Sequence, residues 1–195
     1  MAVPAHVAEA IVAVGRRLDA LGLVPATAGN FSVRLDSRRL AVTVSGRHKG
    51  FLTADDVMVV DVDGVAEDPA QRSSAETLLH CGIYRRFPQA GAVLHGHSVA
   101  NTVLSRAAGD GLRLAGYELL KAFPGGPTHD TEVTLPVVAN DQDIARMQRG
   151  LDALWDGVAP EARGTNPDPP EARGTNPGPP EARGTNPGPP PGYLI

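Results

Sequence analysis

Gly91-Ala92-Val93-Leu94-His95-Gly96-His97-Ser98 is the stretch on which the reading of this chain turns. A short apolar run with the composition of a strand ends in two imidazoles spaced two residues apart. Side chains two apart on a strand point to the same face, and neutral imidazoles are common nitrogen ligands for zinc. Ser98 then stands where a helix N-cap is needed, before the helical pattern Val99 to Ala107. The pair therefore sits at a strand-to-helix junction, where side chains are presented at a sheet edge on regular structure.

Working outward, the segment before this strand reads as a helix capped by Ser73 or Ser74 and running through Glu76, Leu79, Ile83 and Tyr84 to Phe87, where Pro88 halts it. Farther upstream, residues 30–35 and 40–45 are rich in β-formers and separated by Asp36-Ser-Arg-Arg, a hairpin pattern. Val57-Met-Val-Val-Asp-Val is a third strand, ending at Asp63-Gly64. Val7, Ala10, Ile11, Val14, Leu18 and Leu21 recur at helical spacing between Pro4 and Gly22. After a glycine-rich stretch come a strand over Val133 to Val138 and a helix over Asp141 to Trp155. Mixed elements with an early meander predict a layered α/β domain around a mostly antiparallel or mixed sheet.

The composition fits one globular domain followed by a tail. The 195 residues are 42% apolar and carry a net charge of −4 without a long basic run, which argues against nucleic acid or an anionic membrane as partner. No stretch approaches the roughly 20 apolar residues of a membrane span, and no secretory signal pattern opens the chain, so the expected location is the cytoplasm. The lone cysteine, Cys81, falls in a helical pattern and reads as a small buried hydrophobe.

From residue 158 to 190 a decapeptide recurs at Glu161, Glu171 and Glu181, differing only in Gly178 and Gly188 where the first copy has Asp168. Without a large apolar residue, stacked copies bury nothing, so a solvated, disordered spacer is expected. The domain is accordingly assigned to residues 1–157, with 191–195 as the start of a further strand.

Three loops have the composition of a phosphate cradle: Thr27-Ala-Gly-Asn30, Ser45-Gly46-Arg-His-Lys49-Gly50 and Ser73-Ser74. They combine exposed backbone amides, small hydroxyls and cations, although turns and caps use the same residue types. Glu118 is the carboxylate of an otherwise apolar segment, Gly116-Tyr-Glu-Leu-Leu-Lys121. Among apolar groups it suits proton transfer; beside Lys121 it equally fits a solvent-facing residue.

These segments together resemble the class II aldolase and adducin family, and within it the branch that dehydrates a methylthio-ketose phosphate. The resemblance rests on residues 27–32, 42–50, 74–80, 93–106 and 116–123, in family order. It implies a three-layer α/β/α fold, assembly as a homo-oligomer, usually a homotetramer, and one zinc ion per subunit held by His95, His97 and a third histidine near the C-terminus. Glu118 falls at the acid/base position, while Asn30, Ser45, Gly46 and Ser74 fall in the phosphate-binding region, with Lys49 beside them. Glu76 matches the catalytic carboxylate of the sugar-phosphate aldolases.

The implied substrate is a small sugar phosphate, 5-methylthioribulose 1-phosphate, dehydrated to 5-methylthio-2,3-dioxopentyl phosphate in methionine salvage. Polarising the C2 carbonyl acidifies the C3 proton, and loss of the C4 hydroxyl needs the proton that Glu118 can supply. The alternatives are a sugar-phosphate aldolase using Glu76 and a non-catalytic, adducin-like assembly domain. The resemblance also implies a segment of the form Arg-Gly-His-Gly-x-Tyr-x-Trp-Gly, after a strand beginning like 191–195. The sequence to Ile195 contains none, so the expectation is a domain without its terminal strand and helix, with weakened metal binding and activity. His129 is the internal candidate for a replacement ligand.

Overall fold

The computed structural model describes residues 2–109, 111–123, 128 and 130–157. The decapeptide repeats, residues 191–195 and His129 lie outside the described residues.

Four antiparallel strands form the main sheet, in the order β3-β2-β1-β4: β1 Asn30–Arg34, β2 Arg39–Thr43, β3 Val57–Asp61 and β4 Ala92–His95. The expected hairpin joins β1 to β2, with Ser32 opposite Val42, and its turn is held by Asp36, whose carboxylate accepts from the Arg38 and Arg39 amides. β4 returns on the other side of β1, pairing His95 with Asn30 and Val93 with Ser32. This crossover carries the imidazoles to the rim beside the start of β1.

Helices cover both faces of the sheet. On one, α1 (Ala5–Ala20) packs Val7, Ala8 and Ile11 against Phe31, Ala41, Leu52 and Val57. On the other, Leu40, Val42, Met58 and Val60 meet Cys81 and Tyr84 of α2 (Thr77–Arg86). Burial on both faces explains why β3 reads as an unbroken apolar run rather than an alternating one. These layers give the α/β/α architecture that the sequence predicts.

α4 (Ile144–Gly157) lies on the outer side of α2, closing a third cluster of Leu79, Met147, Leu151 and Trp155, with the Trp155 ring edge-on to Phe87 at 5.3 Å. Trp155 is buried in the last turns of its helix, so Trp155→Ala removes the anchor of the layer. Its expected cost is about 3–5 kcal/mol in chemical denaturation; a change below about 1 kcal/mol would show that α4 is not part of the cooperative core. Cys81 is fully buried, and burial pushes its thiol up to about 11, as expected of a packing residue.

Several assignments depart from the sequence reading, among them the ends of β2, at Thr43, and of β6, at Pro136. Ser73 and Ser74 do not cap α2: its helical bonding starts at Thr77, because Ser73 pairs with Val44 and the Ser74 hydroxyl accepts from the Glu76 amide in a separate turn. α4 starts at Ile144, since Asp143 takes the Arg146 amide on its side chain and the Met147 amide on its carbonyl. The glycine-rich stretch contains a strand, β5 (Gly111–Ala115), paired antiparallel with β6 (Glu132–Pro136) as a separate ribbon. Ser98 does cap α3 (Val99–Ala107), accepting from the Asn101 amide at 3.0 Å. Among the described residues no helix is long and apolar enough to cross a membrane.

Candidate metal centre and phosphate cradle

The three loops singled out by composition converge on one rim. Loop 23–30 seats directly on the His95-Gly-His97 segment: the His97 amide donates to Leu23 O at 2.7 Å, and a Cβ on Gly29 would stand 2.5 Å from His95 O. Gly29, at φ +76°, supplies both the missing side chain and the backbone shape. The Ser45 amide donates to Arg72 O, tying the second loop to the third. Lys49 is buried beneath them, and its ammonium donates to Thr27 O at 2.9 Å and Arg47 O at 2.7 Å. Burial pulls its pKa down while Glu76 partly offsets this. α1 reaches this point too, since a Cβ on Gly15 would lie 2.4 Å from Lys49 O.

At the rim the two imidazoles lie 4.6 Å apart between ring centroids, and Glu76 joins them. One ligand atom from each of Glu76, His95 and His97 falls within a 4.8 Å cluster, so these three can hold a metal ion. The Glu76 carboxylate lies 3.4 Å from His95 Nδ1, and the hydrogen bond from His95 holds it below the usual carboxylate range. Burial, reinforced by His95, pushes His97 down. An ionised carboxylate beside an imidazole kept neutral is the protonation state metal ligation requires.

The other predicted residues fall in different positions. Asn30 is buried: its Oδ1 lies 2.9 Å from His95 Nδ1 and 3.2 Å from His80 Nε2, so its side chain braces histidines rather than facing a ligand. Ser45 and Gly46 are exposed at the loop tip, and Ser74 bridges to Glu76 through a 3.3 Å hydrogen bond. His48 caps the short 3-10 turn Lys49–Phe51, accepting from the Gly50 amide. Glu118 is 73% exposed, ion-paired with Lys121, and outside the Glu76-His95-His97 cluster. Sequence reasoning leaves Glu76 between a structural role at a helix start and the aldolase carboxylate; its signal as a metal neighbour is its place at that helix start, from which it reaches His95.

His80 is held neutral, because burial pushes its pKa from 6.5 down to about 3. The unfolded chain takes up this proton near 6.5, so below that pH the unfolded state binds more protons. Stability is therefore full above about pH 6.5 and falls as the pH drops toward 3, by at most about 1.4 kcal/mol per pH unit. Denaturant titrations over this range should give a shallower slope in His80→Gln; an unchanged slope would assign the acid sensitivity to other groups.

Comparison with known proteins matches residues 9–159 to the class II aldolase and adducin N-terminal domain. The chain is 59% identical over 151 residues to a methylthioribulose-1-phosphate dehydratase of Gluconacetobacter diazotrophicus, covering 77% of this chain and 73% of that protein. It is likewise 59% identical over 138 residues to the methylthioribulose-1-phosphate dehydratase of Gluconobacter oxydans, covering 70% and 66%. Among solved structures, an L-fuculose-1-phosphate aldolase from Thermus thermophilus superposes with a TM-score of 0.58 at 29% identity, covering 75% of this chain and 69% of that one.

Proposed function

This chain belongs to the class II aldolase and adducin family, and on that premise we propose that it dehydrates 5-methylthioribulose 1-phosphate to 5-methylthio-2,3-dioxopentyl phosphate. The observation that carries this reading is the joining of Glu76, His95 and His97 in a chain 59% identical to proteins named for that reaction. Two imidazoles and a carboxylate form a donor set suited to zinc, which when bound supplies Lewis acidity for the C2 carbonyl. His95 and His97 are the proposed zinc ligands, with Glu76 beside them.

Within the reaction, Glu118 takes the C3 proton as the C3–C4 double bond forms and returns a proton to the C4 oxygen, which leaves as water. The resulting enol ketonises at C3, so no oxidant or reductant is consumed. Ser45, Gly46 and Ser74 line the proposed phosphate cradle, and Asn30 braces the histidines beside it. Chain-to-chain assembly into a homotetramer is part of this reading, supported by apolar side chains that α3 leaves exposed: Val99 at 74%, Val103 and Leu104. The proposed setting is the cytoplasm, where a soluble sugar phosphate is available.

Incubating the zinc-loaded chain with 5-methylthioribulose 1-phosphate should give a product lighter by one water. Cleavage into two carbonyl fragments instead would favour the aldolase reading, for which the contact between Glu76 and His95 is the specific observation. Neither product from a folded, oligomeric chain would leave the assembly role.

A further inference from the structure

Beneath the metal centre runs a buried file of polar side chains that the proposed reaction does not use. Tyr84 Oη lies 2.9 Å from Ser32 Oγ, Ser32 Oγ lies 2.7 Å from His80 Nδ1, His80 Nε2 lies 3.2 Å from Asn30 Oδ1, and Asn30 Oδ1 lies 2.9 Å from His95 Nδ1. Ser32, His80 and Asn30 are each at most 2% exposed, so no solvent adjusts their hydrogen bonds. Each bond therefore constrains the next.

The donors can be assigned in order. Burial pushes the Tyr84 hydroxyl up to about 12, so it keeps its proton, and its oxygen already faces the Val93 amide. Its O–H consequently points at Ser32 Oγ, and Ser32 donates onward to His80 Nδ1. His80 is neutral, so its single N–H is at Nε2 and donates to Asn30. The amide must present its oxygen there, and the same oxygen can only accept from His95 at 2.9 Å, which, with the Glu76 carboxylate 3.4 Å from the same nitrogen, places the His95 proton on Nδ1. His95 Nε2 is left with its lone pair.

Asn30 does not hold itself in this orientation. Its Nδ2 is buried without a hydrogen-bond partner, so nothing on the amino side opposes a flip of the amide. With the amide reversed, Nδ2 would compete for His95 Nδ1 with the Glu76 carboxylate 3.4 Å away; by donating there it would move the His95 proton to Nε2, and neither ring nitrogen would keep a free lone pair. We propose that His80 is a positioning residue for His95: oriented by Ser32 and Tyr84, it fixes the Asn30 amide and so selects the His95 tautomer that can bind metal. The proposal rests on the assignment of His95 as a metal ligand, and it extends that centre one residue layer into the core.

Two variants test it in the full chain. His80→Phe removes the donor to Asn30 at similar volume, whereas His80→Gln retains an N–H. Nitrogen-15 NMR of histidine-labelled, metal-free protein reads the tautomer directly, and chelator competition reads zinc affinity. The expected result is His95 protonated on Nδ1 in the parent and in His80→Gln, but on Nε2 in His80→Phe, with zinc bound about 10–100-fold more weakly there. Should His80→Phe fail to fold, Ser32→Ala removes the hydroxyl that orients His80 and is expected to mix the His95 tautomers. A folded His80→Phe or Ser32→Ala that keeps the Nδ1 proton would overturn the proposal. Unchanged zinc binding in His95→Ala would instead overturn the ligand assignment and leave the tautomer measurement standing.

Discussion

Glu118→Gln is expected to lower kcat by about 10²–10⁴-fold with little change in KM, because an isosteric amide keeps the shape of the proposed acid/base but cannot carry its proton. The position suits the experiment. Glu118 is 73% exposed and its ion pair with Lys121 spans less than one helical turn, so exposed-pair energetics predict a stability change within about 0.5 kcal/mol. Any large kinetic effect is then chemical rather than a loss of fold. Lys121→Ala, which removes the partner without touching the carboxylate, should by contrast retain most activity. If Glu118→Gln turns over at the parent rate, the proton must pass through another group, and Glu76 becomes the first alternative.

The second large effect concerns the metal. His97→Ala should lose zinc far beyond the roughly 10–100-fold that changes to outer partners produce, with dehydration lost in parallel. His97 carries no bracing role in the core comparable to that of His95, so its removal separates ligation from folding. Burial and the neighbouring His95 hold His97 below its ordinary pKa, which lets it stay neutral further into acid than a free histidine. Protonation of His97 should therefore begin to release zinc only at a lower pH than for a free histidine, which chelator competition across a pH series checks. Equal affinity in His97→Ala at neutral pH would remove this residue from the ligand set.

Local sequence signals locate most of the framework. The β1–β2 hairpin, the buried run of β3 and the Ser98 cap are all decided by neighbouring residues: β-branched side chains around an aspartate turn, four consecutive apolar positions, and a hydroxyl before a helical pattern. What escapes them depends on contacts between distant segments. Ser74 has a cap's composition, yet the pairing of Ser73 with Val44 and the turn to Glu76 postpone the helix to Thr77. β5 offers only Leu112 and Leu114 around Arg113, a pattern too short to see without β6 opposite it.

The site divides in the same way. His95 and His97 announce themselves through spacing, whereas Glu76 is added only when the fold brings the residue before α2 to within 3.4 Å of His95. Asn30 reads as the join between a loop and a strand; its placement between two imidazoles comes from pairing with His95 across the β1–β4 register.

Gly29 also sets a dimension. With no side chain between this loop and His95 O, and with the His97 amide bonded to Leu23 O, the loop meets the His95-Gly-His97 segment main chain to main chain. On the proposed reading, in which the loops hold the phosphate and the imidazoles the metal, this spacing acts as a caliper, and a substrate longer by one carbon between carbonyl and phosphate is expected to be turned over more slowly.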